Sequence, residues 1–177
     1  MLMADQSRQR TPTHDVMIHL ASRYEIINNW DEFSDQLRVS FVSSEGALVY
    51  IGNDFDKAIN IIFEKLTNPF NTDMQLWVEY HDNVPNYLVL TQVIQCEFTG
   101  RKTLVLFAMT KISESDKETL AKRYFDAYQT VSAFAKANNC VGMTCYSDLD
   151  YFAEKAKETK DYTNVVSRYM FYFPIGD

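Results

Sequence analysis

Leu104-Val105-Leu106-Phe107-Ala108-Met109 is an unbroken apolar run of strand length. A helical pattern opens at Ser115 and closes at Asn138-Asn139, and Val141-Gly142-Met143-Thr144-Cys145-Tyr146 is a second short apolar run. Thr103 to Ser147 therefore reads as strand, helix, strand, a crossover of the kind that builds the centre of an α/β sheet. In many enzymes the strand-to-helix turn of such a unit holds a phosphate on glycine amides at a helix N-terminus. Here that turn is Thr110-Lys111-Ile112-Ser113-Glu114-Ser115-Asp116, with no glycine and two acids.

The helix of this unit is well marked. Ser115 and Glu118 have capping-box spacing. Leu120, Tyr124, Ala127, Tyr128, Val131, Phe134 and Ala135 recur at the helical period and form its buried stripe. Lys117, Lys122 and Arg123 lie on the opposite side amid Asp116, Glu118 and Asp126, an ordinary solvated face rather than a basic patch.

Upstream of the crossover, three strands form an antiparallel meander. Met74 to Tyr80 alternates, with Met74, Leu76, Val78 and Tyr80 on one face. Residues His81 to Asn86 read as a turn. Tyr87 to Phe98 reads as a long strand with Leu88, Leu90, Ile94, Cys96 and Phe98 on one side, and Thr99-Gly100-Arg101-Lys102 is a tight connection into the apolar run at Leu104. Earlier still, Tyr24 to Ile27 reads as a first strand. Trp30 to Val39 is a short helix with Phe33 and Leu37 on one face. Ala47 to Ile51 is a short apolar run of strand type. A clearer helix runs from Asn53 or Asp54 to near Leu66, on Phe55, Ile59, Ile62, Phe63 and Leu66, with Pro69 just past its end. Residues 1–20 lack a hydrophobic period and form an N-terminal arm, leaving residues 21–177 as a single domain. After the crossover come a helix from Leu149 to about Glu158 and a final strand from Val165 to Phe173, rich in aromatic and β-branched residues.

The totals bound the function. A chain of 177 residues with 46% hydrophobic residues can bury one sizeable core. The formal net charge of −7 disfavours binding nucleic acid through phosphate contacts. The acids are scattered, which argues against a DNA-mimicking surface. Cys96, Cys140 and Cys145 are an odd set with no signal peptide before them, and read as buried free thiols in a reducing compartment. His14, His19 and His81 have no metal-ligand spacing, so no metal is expected. No apolar run approaches the ~20 residues of a membrane helix. Nucleophile-elbow, P-loop and dinucleotide fingerprints are all missing from the sequence.

The element order is then strand, two helices, three antiparallel strands, long helix, strand, short helix, strand. From about Tyr24 to Phe173 this resembles the GNAT superfamily of acyl-CoA-dependent N-acetyltransferases. Phe134-Ala135-Lys136-Ala137-Asn138-Asn139-Cys140 is similar to the end of the family's central helix, and Ser147-Asp148-Leu149-Asp150-Tyr151-Phe152 to its turn into the last helix. The resemblance implies an α/β (α+β) fold: a mixed, mostly antiparallel sheet with helices on both faces and a central crossover. It also implies a Gln/Arg-x-x-Gly-x-Gly/Ala loop for the acyl-CoA pyrophosphate, and this chain departs from that pattern. Its glycines are Gly46, Gly52, Gly100, Gly142 and Gly176, none between the strand and the central helix. Without glycine the amides do not readily converge on phosphate. Glu114 and Asp116 would also repel a polyanion by about 1 kcal/mol or more per close contact.

Acyl transfer needs a base for the amine and an acid for the leaving thiol. The candidates are Glu79 and Glu97, read as strand residues, and Tyr151 at the start of the last helix. Each has a plainer structural reading: both glutamates alternate outward from the apolar face, and Tyr151 packs. Ser113 and Ser115, with the helix dipole, are the candidates for weak anion contact.

Three functional readings follow. The first is a non-catalytic GNAT-like structural protein. By analogy it would be a virion or internal-core component of a short-tailed phage, acting in particle assembly or genome ejection. It would meet protein partners or further copies of itself through the N-terminal arm and the aromatic C-terminal strand. It would reside in the virion, or otherwise in the cytoplasm, without cofactor. The second is an acetyl-CoA-dependent N-acetyltransferase with an atypical cofactor loop. The third is an unrelated α/β binding domain.

Overall fold

The computed structural model describes residues 18–42, 54–81, 83–110 and 117–145. In chain order the elements are β1 (His19–Leu20), α1 (Arg23–Asn28), α2 (Trp30–Val42), α3 (Phe55–Thr67), β2 (Met74–His81), β3 (Val84–Gln95), β4 (Lys102–Met109), α4 (Lys117–Ala137) and β5 (Cys140–Cys145). The strands form one sheet in the order β1-β2-β3-β4-β5. Neighbours are antiparallel except β4 and β5, which α4 joins in parallel. The central crossover and the three-stranded meander are therefore present as the sequence pattern predicts.

Alternation sorts the side chains onto two covered faces. On one, Leu76, Val78, Leu88, Leu90 and Ala108 meet Ile26 of α1, Phe33, Leu37 and Phe41 of α2, and Ile59, Ile62 and Leu66 of α3. On the other, Trp77, Tyr87, Val89 and Leu104 meet Ala127, Val131 and Ala135 of α4. Phe134 of α4 packs edge-on against Trp77, with ring centroids 5.2 Å apart. A sheet with helices on both faces is what the resemblance implied.

The termini of the helices explain their extents. Asp54 caps α3 by accepting from the Lys57 amide at 3.1 Å. The long helix α4 closes where Asn139 takes a left-handed φ of 59° and its amide bonds the Lys136 carbonyl at 3.1 Å.

Several local expectations are corrected. Tyr24 to Ile27 is helix, not strand. Ser22 accepts from the Glu25 amide while the Glu25 carboxylate accepts from the Ser22 amide, and this reciprocal cap outweighs the β propensity of Tyr24, Ile26 and Ile27. Strand residues occur instead at His19–Leu20, paired with Trp77 and Val78, next to buried Ile18. β3 begins at Val84 and stops at Gln95, so Cys96, Glu97 and Phe98 fall in the β3–β4 turn, where all three are exposed. The turn closes there because Gly100 adopts a φ of 67°, which glycine enters without steric cost, and its amide bonds the Cys96 carbonyl at 2.8 Å. Cys96 is accordingly an exposed thiol, its pKa lowered by hydrogen bonds from the Thr99 side chain and nearby backbone. The Cys140 thiol is half-buried, and burial pushes its pKa up. The apolar run Ala47 to Ile51, the helix from Leu149 and the strand Val165 to Phe173 lie outside the described residues.

Candidate active site

The strands β2, β4 and β5 run in one direction, so their carboxyl ends share one end of the sheet. In open α/β sheets ligands bind outside the carboxyl ends of the strands. Here the strand order runs in sequence and the pairing changes from antiparallel to parallel between β4 and β5, and α4 begins at the same end.

The end of β4 is shaped by a bulge. Pairing with β3 passes from Leu90↔Ala108 to Thr91↔Leu106, leaving Phe107 as the extra residue. A bulge bends its strand and re-aims the residues that follow. Among the described residues the ladder to β5 ends at Leu106↔Cys145, and β4 continues past it.

Beyond the bulge β4 is held from three sides. The Ser40 hydroxyl of α2 donates to the Met109 carbonyl at 3.0 Å. The buried Tyr87 hydroxyl donates to Met109 Sδ at 3.4 Å. Thr110 is buried and bonds Leu88 twice. Its amide donates to the Leu88 carbonyl at 2.9 Å, and its Oγ1 accepts from the Leu88 amide at 2.8 Å. This fixes the point from which residues 111–116 depart.

Glu79 sits at the same end, two strands away, on the α4 face. It is 3% exposed, opposite Tyr87 in the β2–β3 register. Asn86 is the extra residue of a second irregularity, between Glu79↔Tyr87 and Tyr80↔Pro85, and its Nδ2 donates to Glu79 Oε1 at 3.2 Å. The expectation that Glu79 alternates outward is thus half correct. It does leave the face of Leu76 and Val78, but the face it joins is roofed by α4. Behind it, on the same face, runs a buried polar chain. Trp77 Nε1 donates to Thr91 Oγ1 at 2.9 Å, Thr91 Oγ1 donates to Gln75 Oε1 at 2.9 Å, and Gln75 Nε2 donates to the Thr72 carbonyl at 2.7 Å.

A second polar group lies at this end on the other face. His19 Nε2 is 3.0 Å from Glu25 Oε1, and the His19 ring stacks on Tyr80 at 5.9 Å. The Tyr80 phenol is held well above its ordinary pKa, first by burial and then by its hydrogen bond to the Glu25 carboxylate.

Of the site residues expected from sequence, Glu79 is at the carboxyl ends of the strands. Glu97 is in the β3–β4 turn at the opposite end of the sheet, exposed, and not on a strand. Ser113, Ser115 and Tyr151 lie outside the described residues. Asn86, Tyr87, Met109 and Thr110 were not anticipated. Thr110 closing the apolar run and Asn86 immediately before Tyr87-Leu88 were the available signals.

This arrangement is the fold of a GNAT-like protein: a mostly antiparallel five-stranded sheet, a bulged β4, and a parallel β4–α4–β5 crossover. No family model and no curated protein matches the sequence. Solved structures do match. A possible acetyltransferase from Clostridium difficile 630 is similar with a TM-score of 0.59 at 13% identity, over 90% of this chain and 97% of that one. A GNAT family acetyltransferase from Staphylococcus aureus is similar with a TM-score of 0.55 at 16% identity, over 89% and 96%. An aminoglycoside N-acetyltransferase in complex with CoA gives a TM-score of 0.55 at 13% identity, over 90% and 94%.

These likenesses correct the first functional reading. The three solved structures named above are acetyltransferases, one of them described as a possible one, and none is a virion or assembly protein. The expectation of a non-catalytic phage structural protein rested on the missing glycine loop, the N-terminal arm, the aromatic C-terminal strand and an analogy, and the acetyltransferase alternative fits the findings better.

Proposed function

We propose that the chain is an acyl-CoA-dependent N-acetyltransferase with an atypical cofactor loop. The observation that carries this reading is the shared fold. The alignments to solved acetyltransferases, one of them in complex with CoA, cover about nine-tenths of this chain at TM-scores of 0.55–0.59. The reaction would take the acetyl group from the CoA thioester to an amine. The amine nitrogen attacks the carbonyl carbon, the carbon–sulfur bond breaks, and a proton passes from nitrogen to a base while the thiolate takes up a proton.

Glu79 is the carboxylate best supported as that base. It is buried, lies at the carboxyl end of β2, and has its Oε1 oriented by Asn86. The loop at residues 111–116 offers no glycine for a phosphate cradle, so cofactor affinity is expected to be weak, with Kd on the order of 100 μM. Titration calorimetry with acetyl-CoA, at concentrations suited to that range, tests the reading. A saturable one-site isotherm is expected. No heat, together with no thermal shift, would overturn it.

A further inference from the structure

The amino end of β4, opposite the candidate active site, carries two phenylalanines that the fold leaves in solvent. Phe70 is 93% exposed and Phe98 is 97% exposed. Both are presented on turns fixed by hydrogen bonds. Phe70 lies between α3 and β2: its amide donates to Asn68 Oδ1 at 3.0 Å, the Asn71 amide to the Asn68 carbonyl at 3.1 Å, and the Asp73 amide to Asn71 Oδ1 at 3.0 Å. Phe98 tops the β3–β4 hairpin, which Cys96 and Arg101 close at 2.8 Å. The two turns share one end of the sheet, since the Val93 amide of β3 donates to the Asp73 carbonyl at 2.7 Å. Half-exposed Ile94 of β3 adds a further apolar side chain at this end. Scattered exposed apolar residues are normal, but two nearly naked rings on ordered turns at one end form a surface already shaped for contact.

The charges around Phe98 select the partner. Glu97 precedes it and Arg101 follows it by three residues, and both are exposed. Neither forms an ion pair with another described residue. A partner of one sign would satisfy one of them and oppose the other. A second copy turned about a two-fold axis sets Glu97 of each copy against Arg101 of the other, because an isologous contact pairs i with j and j with i. Buried aromatic side chains cover on the order of 150–250 Å² each, so four phenylalanines would supply about half of a small standard interface. We propose that this end of the molecule is a self-complementary dimer surface, centred on Phe98 and Phe70 and registered by reciprocal Glu97–Arg101 pairs.

Sedimentation equilibrium of the full chain tests this. The unsubstituted chain is expected to form a dimer whose Phe98→Asp and Phe70→Asp variants dissociate at least ~10-fold more readily. At concentrations where the chains are monomeric both side chains are in solvent, so the variants' melting temperatures should there stay within about 2 °C of the parent. Glu97→Arg and Arg101→Glu should each weaken the dimer, and the double reversal Glu97→Arg with Arg101→Glu should restore it. A parent chain that is monomeric at ~200 μM would overturn the proposal, as would a dimer indifferent to both Asp variants. A double reversal that fails to recover would overturn the two-fold pairing. The outcome is independent of whether acetyl-CoA binds.

Discussion

The two faces of the sheet are built from the same strands, yet they are different materials. The face under α1, α2 and α3 is mostly apolar, with Phe33, Leu37, Leu76, Val78 and Leu88 each fully buried. The face under α4 mixes Trp77, Val89 and Leu104 with a buried carboxylate, a buried phenol, and the chain from Trp77 through Thr91 to Gln75. Buried polar groups cost stability unless paired, so they accumulate where pairing is available or where chemistry needs them. The contrast assigns stability chiefly to the first face, and the proposed chemistry lies on the second. Substitutions on the two should therefore fail in different ways.

The largest effect is expected from Phe33→Ala on the apolar face. The ring is fully buried among α2, α3 and the sheet, and removing it leaves a cavity that the helices only partly close. The cost should be about 3–5 kcal/mol in urea unfolding, a large share of the stability of a single domain. Surviving folded protein should keep the acetyl-CoA affinity of the parent. A loss under ~1 kcal/mol would mean that this face is not the main source of stability.

Glu79→Gln probes the other face. The amide keeps an oxygen that can accept from Asn86, so the fold should persist with a melting temperature within a few degrees of the parent. If Glu79 takes the amine proton, kcat should fall ~100-fold, with less effect on KM for acetyl-CoA. An unchanged kcat would reduce Glu79 to a packing residue and leave the polar face without its assigned chemistry. Paired with Phe33→Ala, the variant separates turnover from stability.

The contrast between the faces also shows what the sequence could and could not reveal. The crossover was legible because its two apolar runs and the periodic helix between them are local signals. The Met74 to Tyr80 alternation correctly put Leu76 and Val78 on one face. It could not reveal that the face holding Trp77 and Glu79 is also covered, because α4 comes from more than 30 residues downstream. Alternation reports sides, while burial depends on what packs there. The bulge at Phe107 was equally hidden: nothing in Leu104 to Met109 marks which residue the β3 ladder omits. The helix α1 was readable and misread, since Ser22 and Glu25 have the spacing of a reciprocal cap. Glu97 reads as a strand residue because the apolar alternation continues through Cys96 and Phe98, although Thr99-Gly100 marks the turn.

The smallest expected effect comes from Tyr80, the next residue after Glu79, whose side chain goes to the opposite face. Its phenol is raised above the ordinary tyrosine value, first by burial and then by the Glu25 carboxylate that its hydroxyl bonds, with Glu32 adding further negative potential. A pKa raised in the folded state favours the protonated form. The associated stability is therefore fully present below the unfolded value near 10, and is lost as the pH climbs through the higher folded value. Tyr80→Phe should cost only about 0.5–1.5 kcal/mol at neutral pH, for the lost hydrogen bond to a charged acceptor. The remaining tyrosines titrate in both proteins, so the informative quantity is the difference in unfolding free energy between parent and Tyr80→Phe. That difference should be flat from about pH 7 to pH 9 and shrink above about pH 10, as the phenol ionises in the unfolded chain while burial, Glu25 and Glu32 keep it protonated in the folded one. A difference that stays constant to about pH 11.5 would show that Tyr80 neither bonds Glu25 nor is desolvated in the folded chain. Ring packing, on His19 and against the apolar core, would then be the whole of its contribution.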